Sequence, residues 1–314
     1  VVNKKIIHDM QQDVDFGMGS ATLATASTLG EGFLVTYDSL FNYKWSLELN
    51  TDFYSVVSDF IFNNDGTTTL TGNFTGTTDF DPGAPTNNQS PLGIADLFVL
   101  QIDTAGSYLT AFYGGGANAS VVPSGICSDT SGAPVIAGSL SGTAFYQTSS
   151  GTQAVTSVVK ESGFLHRFNT SGIADLLLVN EESDAGGDDE AEKVIALADG
   201  GTLITGNFEG TVDFDPGASQ YLLSSNGSSD AFLLFLNADG SLRNAFALGG
   251  SGDEKINAIT KDGSGSVYIS GTFTQSIDFD PGPAVFSLTS SGGYDWFMAK
   301  YSSSGNFIWA KKGG

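Results

Sequence analysis

A five-residue string, Asp79-Phe80-Asp81-Pro82-Gly83, returns as Asp213-Phe214-Asp215-Pro216-Gly217 and again as Asp278-Phe279-Asp280-Pro281-Gly282. Each copy follows a Gly-x-Phe segment: Gly72-Asn73-Phe74, Gly206-Asn207-Phe208 and Gly271-Thr272-Phe273. A chain that repeats itself folds as copies of one unit whose faces are buried by neighbouring copies. The period is sharpest at Phe33, Phe98, Phe164, Phe232 and Phe297, spaced 65, 66, 68 and 65 residues apart.

Within one period, short apolar runs alternate with turn residues. In the last unit these are Ile256 to Thr260, Val267 to Phe273, Phe297 to Tyr301 and Phe307 to Ala310, with Asp262-Gly263-Ser264-Gly265 and Ser303-Ser304-Gly305 between runs. Runs of this length, rich in β-branched and aromatic residues, predict strands joined by tight hairpins. No helix is required. The expected fold is all-β: a β-propeller of four-stranded antiparallel blades, with a period above the ~40–50 residues of familiar blades because each blade carries an insertion. A parallel β-helix is the runner-up, but its coils are much shorter.

The units run at about 1–50, 51–114, 115–180, 181–248 and 249–314 of a single domain. Val14-Asp15-Phe16-Gly17-Met18-Gly19 lines up with Ile277 to Gly282, so Lys4 to Met10 is expected to be a second strand whose first strand is absent. Lys311-Lys312-Gly313-Gly314 matches the stretch before Ser251-Gly252-Asp253-Glu254. Five blades with an incomplete first blade is the expectation; a fragment of a larger propeller is the alternative.

Lys and Arg number 12 against 35 Asp and Glu, a net charge of −23. Binding to nucleic acid needs a basic track that replaces counterions, so this acidity argues against it. No stretch approaches the ~20 apolar residues of a membrane helix. Hydrophobic residues at 40% supply a core, and the single Cys127 excludes disulfides within the chain. Lying in an apolar strand, it reads as a buried inert thiol.

The motifs Tyr294-Asp295-Trp296-Phe297, Ser304-Gly305-Asn306, Gly249-Gly250-Ser251-Gly252-Asp253, Asp262-Gly263-Ser264-Gly265 and Val267-Tyr268-Ile269-Ser270-Gly271 resemble those of bacterial β-propeller repeat proteins of the SBBP type. The Asp-Phe-Asp-Pro-Gly insertion looks like the variant found in large surface proteins exported by type IX secretion systems. The resemblance implies an extracellular or outer-cell-surface location and a scaffold, without implying one activity. The third unit departs from it, with Ala144-Phe145-Tyr146-Gln147 in place of the acidic string.

In a strand, Asp79 and Asp81 face one side and Phe80 the other, so the ring anchors the core while the carboxylates meet solvent. Asp79, Asp81, Asp213, Asp215, Asp278 and Asp280 are read first as turn formers. They are also candidate Ca²⁺ ligands, since that ion takes about six to eight oxygens. A further repeated acid, Glu31, Asp96, Asp230 and Asp295, two residues before the anchoring Phe, completes such a site or caps a strand. Glu181, Glu182, Asp184, Asp188, Asp189, Glu190 and Glu192 form a second acidic concentration in one connection, read as a solvated loop.

Glycosidase chemistry needs two carboxylates about 5–10 Å apart. The inner runs Ile256 to Thr260 and Val194 to Ala198 contain none, and Asp59 is the exception. His8 and His166 lie in different units, which offers neither a zinc triad nor a Ser-His-Asp set.

The insertions between Gly83 and Asp96, Gly217 and Asp230, and Gly282 and Asp295 are polar and are expected to project from one edge of successive blades, with Tyr221 to Ser225 pairing against Ala231 to Leu236. Such loops present a multivalent surface for a glycan or surface-protein partner, or shield edge strands. Asp38-Ser39-Leu40 and Asp103-Thr104-Ala105 resemble bacterial O-glycosylation acceptors, with Ser39 and Thr104 as the modified residues. The expected function is a non-catalytic adhesion, recognition or scaffold module, within a larger surface assembly or alone. A carbohydrate-active enzyme with carboxylates near the central channel is the alternative.

Overall fold

The structure is a computed structural model that describes residues 29–81, 83, 85–157, 160–169, 171–179, 189–227 and 229–314, and the backbone path alone of 4–10 and 181–182. Val14 to Gly19, Pro82, Asp184 and Asp188 lie outside the described residues. Among the described residues the regular elements are strands, with no helix.

The first sheet is β1 (Lys4–Met10), β2 (Glu31–Tyr37) and β3 (Tyr43–Glu48), in that order. β1 stands beside β2 as a second strand stands beside a third, as its alignment with later units requires. The second unit runs β4 (Ser55–Phe62), β5 (Thr68–Phe74), an inserted hairpin of β6 (Thr78–Asp79) and β7 (Asn88–Gln89), then β8 (Asp96–Ile102) and β9 (Tyr108–Gly114). The third runs β10 (Ser120–Ser128), β11 (Pro134–Ser141), the hairpin β12 (Thr143–Thr148) and β13 (Gly151–Thr156), then β14 (Ser162–Phe168) and β15 (Ala174–Val179).

A short β16 (Glu181–Glu182) precedes the fourth unit: β17 (Glu190–Ala196), β18 (Thr202–Phe208), the hairpin β19 (Thr211–Asp213) and β20 (Leu222–Ser224), β21 (Asp230–Leu236) and β22 (Leu242–Leu248). The fifth repeats the plan with β23 (Glu254–Lys261), β24 (Val267–Phe273), the hairpin β25 (Ser276–Asp278) and β26 (Ser287–Thr289), β27 (Asp295–Tyr301) and β28 (Phe307–Gly313). In each of the last four units the first, second, third and fourth long strands pair antiparallel in that order.

One local device recurs in all four of these sheets. The first strand carries a bulge, between Val57 and Asp59, Pro123 and Gly125, Ala191 and Lys193, and Ile256 and Ala258. The facing residue of the second strand is Gly72, Gly138, Gly206 or Gly271, and a methyl there would overlap the carbonyl oxygen of Val56, Val122, Glu190 or Lys255. A bulge bends its strand and sharpens the twist. The repeated glycine is the sequence mark of that bend.

Each tight turn closes on a residue in the left-handed region. Gly106, Gly132, Gly240 and Gly265 hold φ near +85° and donate to the carbonyl of the residue three earlier. In the first sheet Phe41 occupies this place with φ 63°.

The core lies between successive sheets. Leu34 and Leu47 meet Leu70, Phe98 and Leu100; Leu97 and Val99 meet Ile136 and Phe164; Ala137 and Leu165 meet Ile204 and Phe232; Leu203, Leu233 and Phe235 meet Ile269, Phe297 and Tyr301. The expected aromatics Phe33, Phe98, Phe164, Phe232 and Phe297 are all buried. β5, β8, β11, β14, β18 and β21 therefore bury both faces, which explains their nearly unbroken apolar runs. β24 and β27 alternate instead, and on their outer face Trp296 is 55% and Met298 42% exposed. First strands touch first strands: β10 packs on β4 and β17, and β17 on β23.

Candidate functional site

The inserted hairpins of the second to fifth units leave their sheets between the second and third long strands, and they are anchored alike. Phe80 lies 5.2 Å from Phe74 and 5.0 Å from Phe98, Phe214 5.3 Å from Phe208 and 4.9 Å from Phe232, and Phe279 6.2 Å from Phe273 and 5.1 Å from Phe297, centroid to centroid. Tyr146 fills this role in the third unit, 4.4 Å from His166. At the hairpin base a hydroxyl pair recurs: Thr77 with Ser90, Thr143 with Thr156, Thr211 with Ser224 and Ser276 with Thr289, at 2.8 to 3.0 Å.

The acidic string builds the hairpin bend. Asp79 Oδ1 accepts from the backbone N–H of Asp81 at 3.0 Å and of Asn87 at 2.8 Å. Asp213 takes Asp215 and Tyr221 in the same way, and Asp278 takes Asp280 and Phe286. Asp81, Asp215 and Asp280 accept from Gly83, Gly217 and Gly282 at 2.8 to 2.9 Å. These six carboxylates sit in three separate hairpins. Among the described residues, no group of three or more His, Cys, Asp or Glu is arranged to hold a metal ion.

The pairing expected for Tyr221 to Ser225 differs in the structure. β20 pairs with β19, its own hairpin partner, whereas Ala231 to Leu236 is occupied on both edges by β18 and β22. A third strand with two committed edges has no hydrogen-bonding groups to offer an insertion.

The repeated acid before the anchoring Phe ties down the returning loop. Asp96 accepts from Leu92 and Gly93, Asp230 from Asn226, and Asp295 from Ser291 and from Lys312 Nζ at 2.9 Å. Glu31 accepts from Thr51. Asp59 is spent between sheets, with Oδ2 accepting from Ile126 N–H at 3.1 Å, and burial raises its pKa. Burial pushes the Cys127 thiol up to about 12, leaving it inert. His8 lies on β1 and His166, fully buried, on β14. Ser39 and Thr104 are exposed at equivalent turn positions.

Two cavities of about 620 Å³ flank the fifth sheet. The first is a groove between successive hairpins, lined by Tyr221 and Leu223 of one, Asp280, Pro281 and Pro283 of the next, and Asn244, Phe246 and Phe307 beneath. The second lies between the fourth and fifth sheets where β17 and β23 begin, lined by Glu190, Glu192, Asn207, Asp253, Glu254 and Tyr294, with Lys255. Glu190 and Glu192 belong to the acidic concentration read as a solvated loop, and here they face a second carboxylate pair. Burial, then the charges of Asp230 and Asp253, pushes Glu254 up to about 7, and burial pushes Asp230 up to about 6. Asp253, Glu254, Asn207 and Tyr294 carry no motif as a group, because they come together only through the stacking of two sheets.

No family model matches the chain, and no curated protein matches it. Among the described residues no helix is long and apolar enough to cross a membrane, which leaves β-barrels unaddressed.

Proposed function

We propose that the stacked sheets are blades of an SBBP-type β-propeller, about five in number with the first incomplete, serving as a non-catalytic recognition or scaffold module at the outer cell surface. First strands packing on first strands supports a common axis, and the resemblance in the repeat motifs supports the location and type IX export.

Recognition is assigned to the grooves between successive inserted hairpins. The observation that carries it is the groove of about 620 Å³ where Tyr221, Phe246 and Phe307 stand beside Asn244 and Asp280. Aromatic faces with amides and carboxylates at their rim suit the apolar faces and hydroxyls of a sugar ring, or a polar peptide. Hairpins repeated on successive sheets turn weak single contacts into avidity.

A glycan array and a polysaccharide-degradation screen on the same chain test the reading. Binding without reducing-end release, weakened about tenfold by Tyr221→Ala, is expected. Release of reducing ends would establish the enzymatic alternative instead.

A further inference from the structure

The polar end of the interface between the fourth and fifth sheets is built from the same repeat positions as that between the first and second, yet it is left unfinished. In the first interface Ser55 Oγ accepts from Gly32 N–H at 3.0 Å and donates to the Leu49 carbonyl at 3.2 Å. In the last, Glu254 stands at the position of Ser55 in the strand register. Glu254 is 3% exposed; its Oε2 accepts from Gly250 N–H at 3.3 Å and its Oε1 accepts no hydrogen bond.

Asn207, half-buried with its Oδ1 closed off from solvent, lines the same cavity. Its Nδ2 donates to the Glu254 carbonyl at 2.6 Å, which fixes the amide and leaves Oδ1 with no donor. Buried acceptors without donors are costly to keep. Two of them lining one cavity define what an occupant must bring.

The rest of the wall narrows the choice. Glu190, Glu192 and Asp253 add negative charge, and Lys255 Nζ is already paired with Glu192 Oε1 at 2.7 Å. Tyr294 donates its hydroxyl to Asp253 Oδ2 at 3.2 Å and remains 65% exposed, so its ring stands at the mouth. A metal ion fits poorly, since among the described residues no three acids converge on a point. A neutral sugar would bring acceptors along with its donors. A guanidinium brings five donors in a planar fork, a full charge and no acceptor, and it stacks on aromatic rings.

We infer that the cavity between the fourth and fifth sheets is a binding site for a guanidinium group, the arginine side chain of a peptide partner. Asn207 Oδ1 and Glu254 Oε1 accept its N–H groups, Glu190 and Asp253 balance its charge, and Tyr294 covers it. The inference is independent of the hairpin groove, and its failure would leave the glycan result unaffected.

Calorimetric titration of the whole chain tests it. Arginine amide and the tripeptide Gly-Arg-Gly are expected to bind, and citrulline amide, the same shape without the charge, to bind at least about tenfold more weakly. Glu254→Gln should weaken arginine amide about tenfold. Tyr294→Ala, an exposed change that leaves the core intact, should weaken it about threefold. Equal binding of citrulline amide, unchanged affinity in both variants, or no arginine binding at millimolar concentration overturns the proposal. Exclusion of the tripeptide overturns the peptide assignment, and displacement of arginine amide by equimolar Ca²⁺ overturns the organic-cation assignment.

Discussion

The first and last sheet interfaces use one apolar plan and two polar ones. Phe98 and Phe297 sit at the same register position, each wedged beside a hairpin aromatic, Phe80 or Phe279. A few residues away, the first interface sets Ser55 and Glu31 into hydrogen bonds with backbone, whereas the last sets Glu254 near Asp230 with an oxygen of each left without a donor. Packing fixes the stack, so the polar end of an interface can diverge into a site while the core beside it stays constant.

The largest test of this equivalence is truncation of the shared aromatic. Phe98→Ala and Phe297→Ala should each cost about 3–5 kcal/mol in denaturant unfolding. A far smaller loss at Phe297 would show that the last interface is not the equal of the first.

Replacing Glu254 with the serine of the first interface comes next. Glu254 is held at about 7 in the fold against its ordinary 4.5, and Asp230 at about 6 against 3.8. Between the ordinary and raised values the folded chain holds more protons than the unfolded one, so stability falls as pH rises through that window. The variant should be more stable than the parent by on the order of 1–3 kcal/mol at pH 8, with the gain vanishing near pH 4. Thermal melts across pH that keep the same slope in both proteins would reject this account.

His166 extends the comparison to the third sheet. It occupies the register place of Leu100 and Leu234, stacked 4.4 Å from Phe164, with neither ring nitrogen hydrogen-bonded. Burial lowers its pKa to about 3. Here the unfolded chain takes up the proton first, so stability declines as pH falls from 6.5 toward 3. His166→Leu should raise stability by about 1–2 kcal/mol and remove that part of the acid decline. The smallest expected effect is at Phe41, exposed and at φ 63°, where other turns have glycine. Phe41→Gly should stabilise by about 1 kcal/mol, and a loss in the melt would mean that the ring has contacts outweighing its strain.

Much of the architecture is legible because its causes are local and recur. The anchoring phenylalanines, the glycines opposite each bulge and the Asp-Phe-Asp-Pro-Gly bend each reappear at a fixed spacing. The insertion partner was misread at Tyr221 to Ser225 because a run of apolar residues declares a strand but not which neighbour has a vacant edge. The hydroxyl pairs Thr77 with Ser90 and Thr143 with Thr156 share one separation in sequence, a signal present but masked by the abundance of Ser and Thr. The cavity was not legible at all. Asn207 and Glu254 come from different units, and the place that holds Glu254 holds Ser55, Val121 and Asp189 in the other sheets, so no shared residue type marks it.

In the second, fourth and fifth units the hairpin is held at its root by a hydroxyl pair and at its bend by a buried ring and an aspartate that gathers two backbone N–H groups, and these contacts constrain the backbone while leaving the outward side chains free to differ. The side-chain identity of the outer residues is thereby uncoupled from folding. Tyr221 and Leu222 on one tip and Val285 and Phe286 on the next differ in character while their roots are the same. The chain is thus a rack of interchangeable fittings, whose surface chemistry can be rewritten one loop at a time with the frame unaltered.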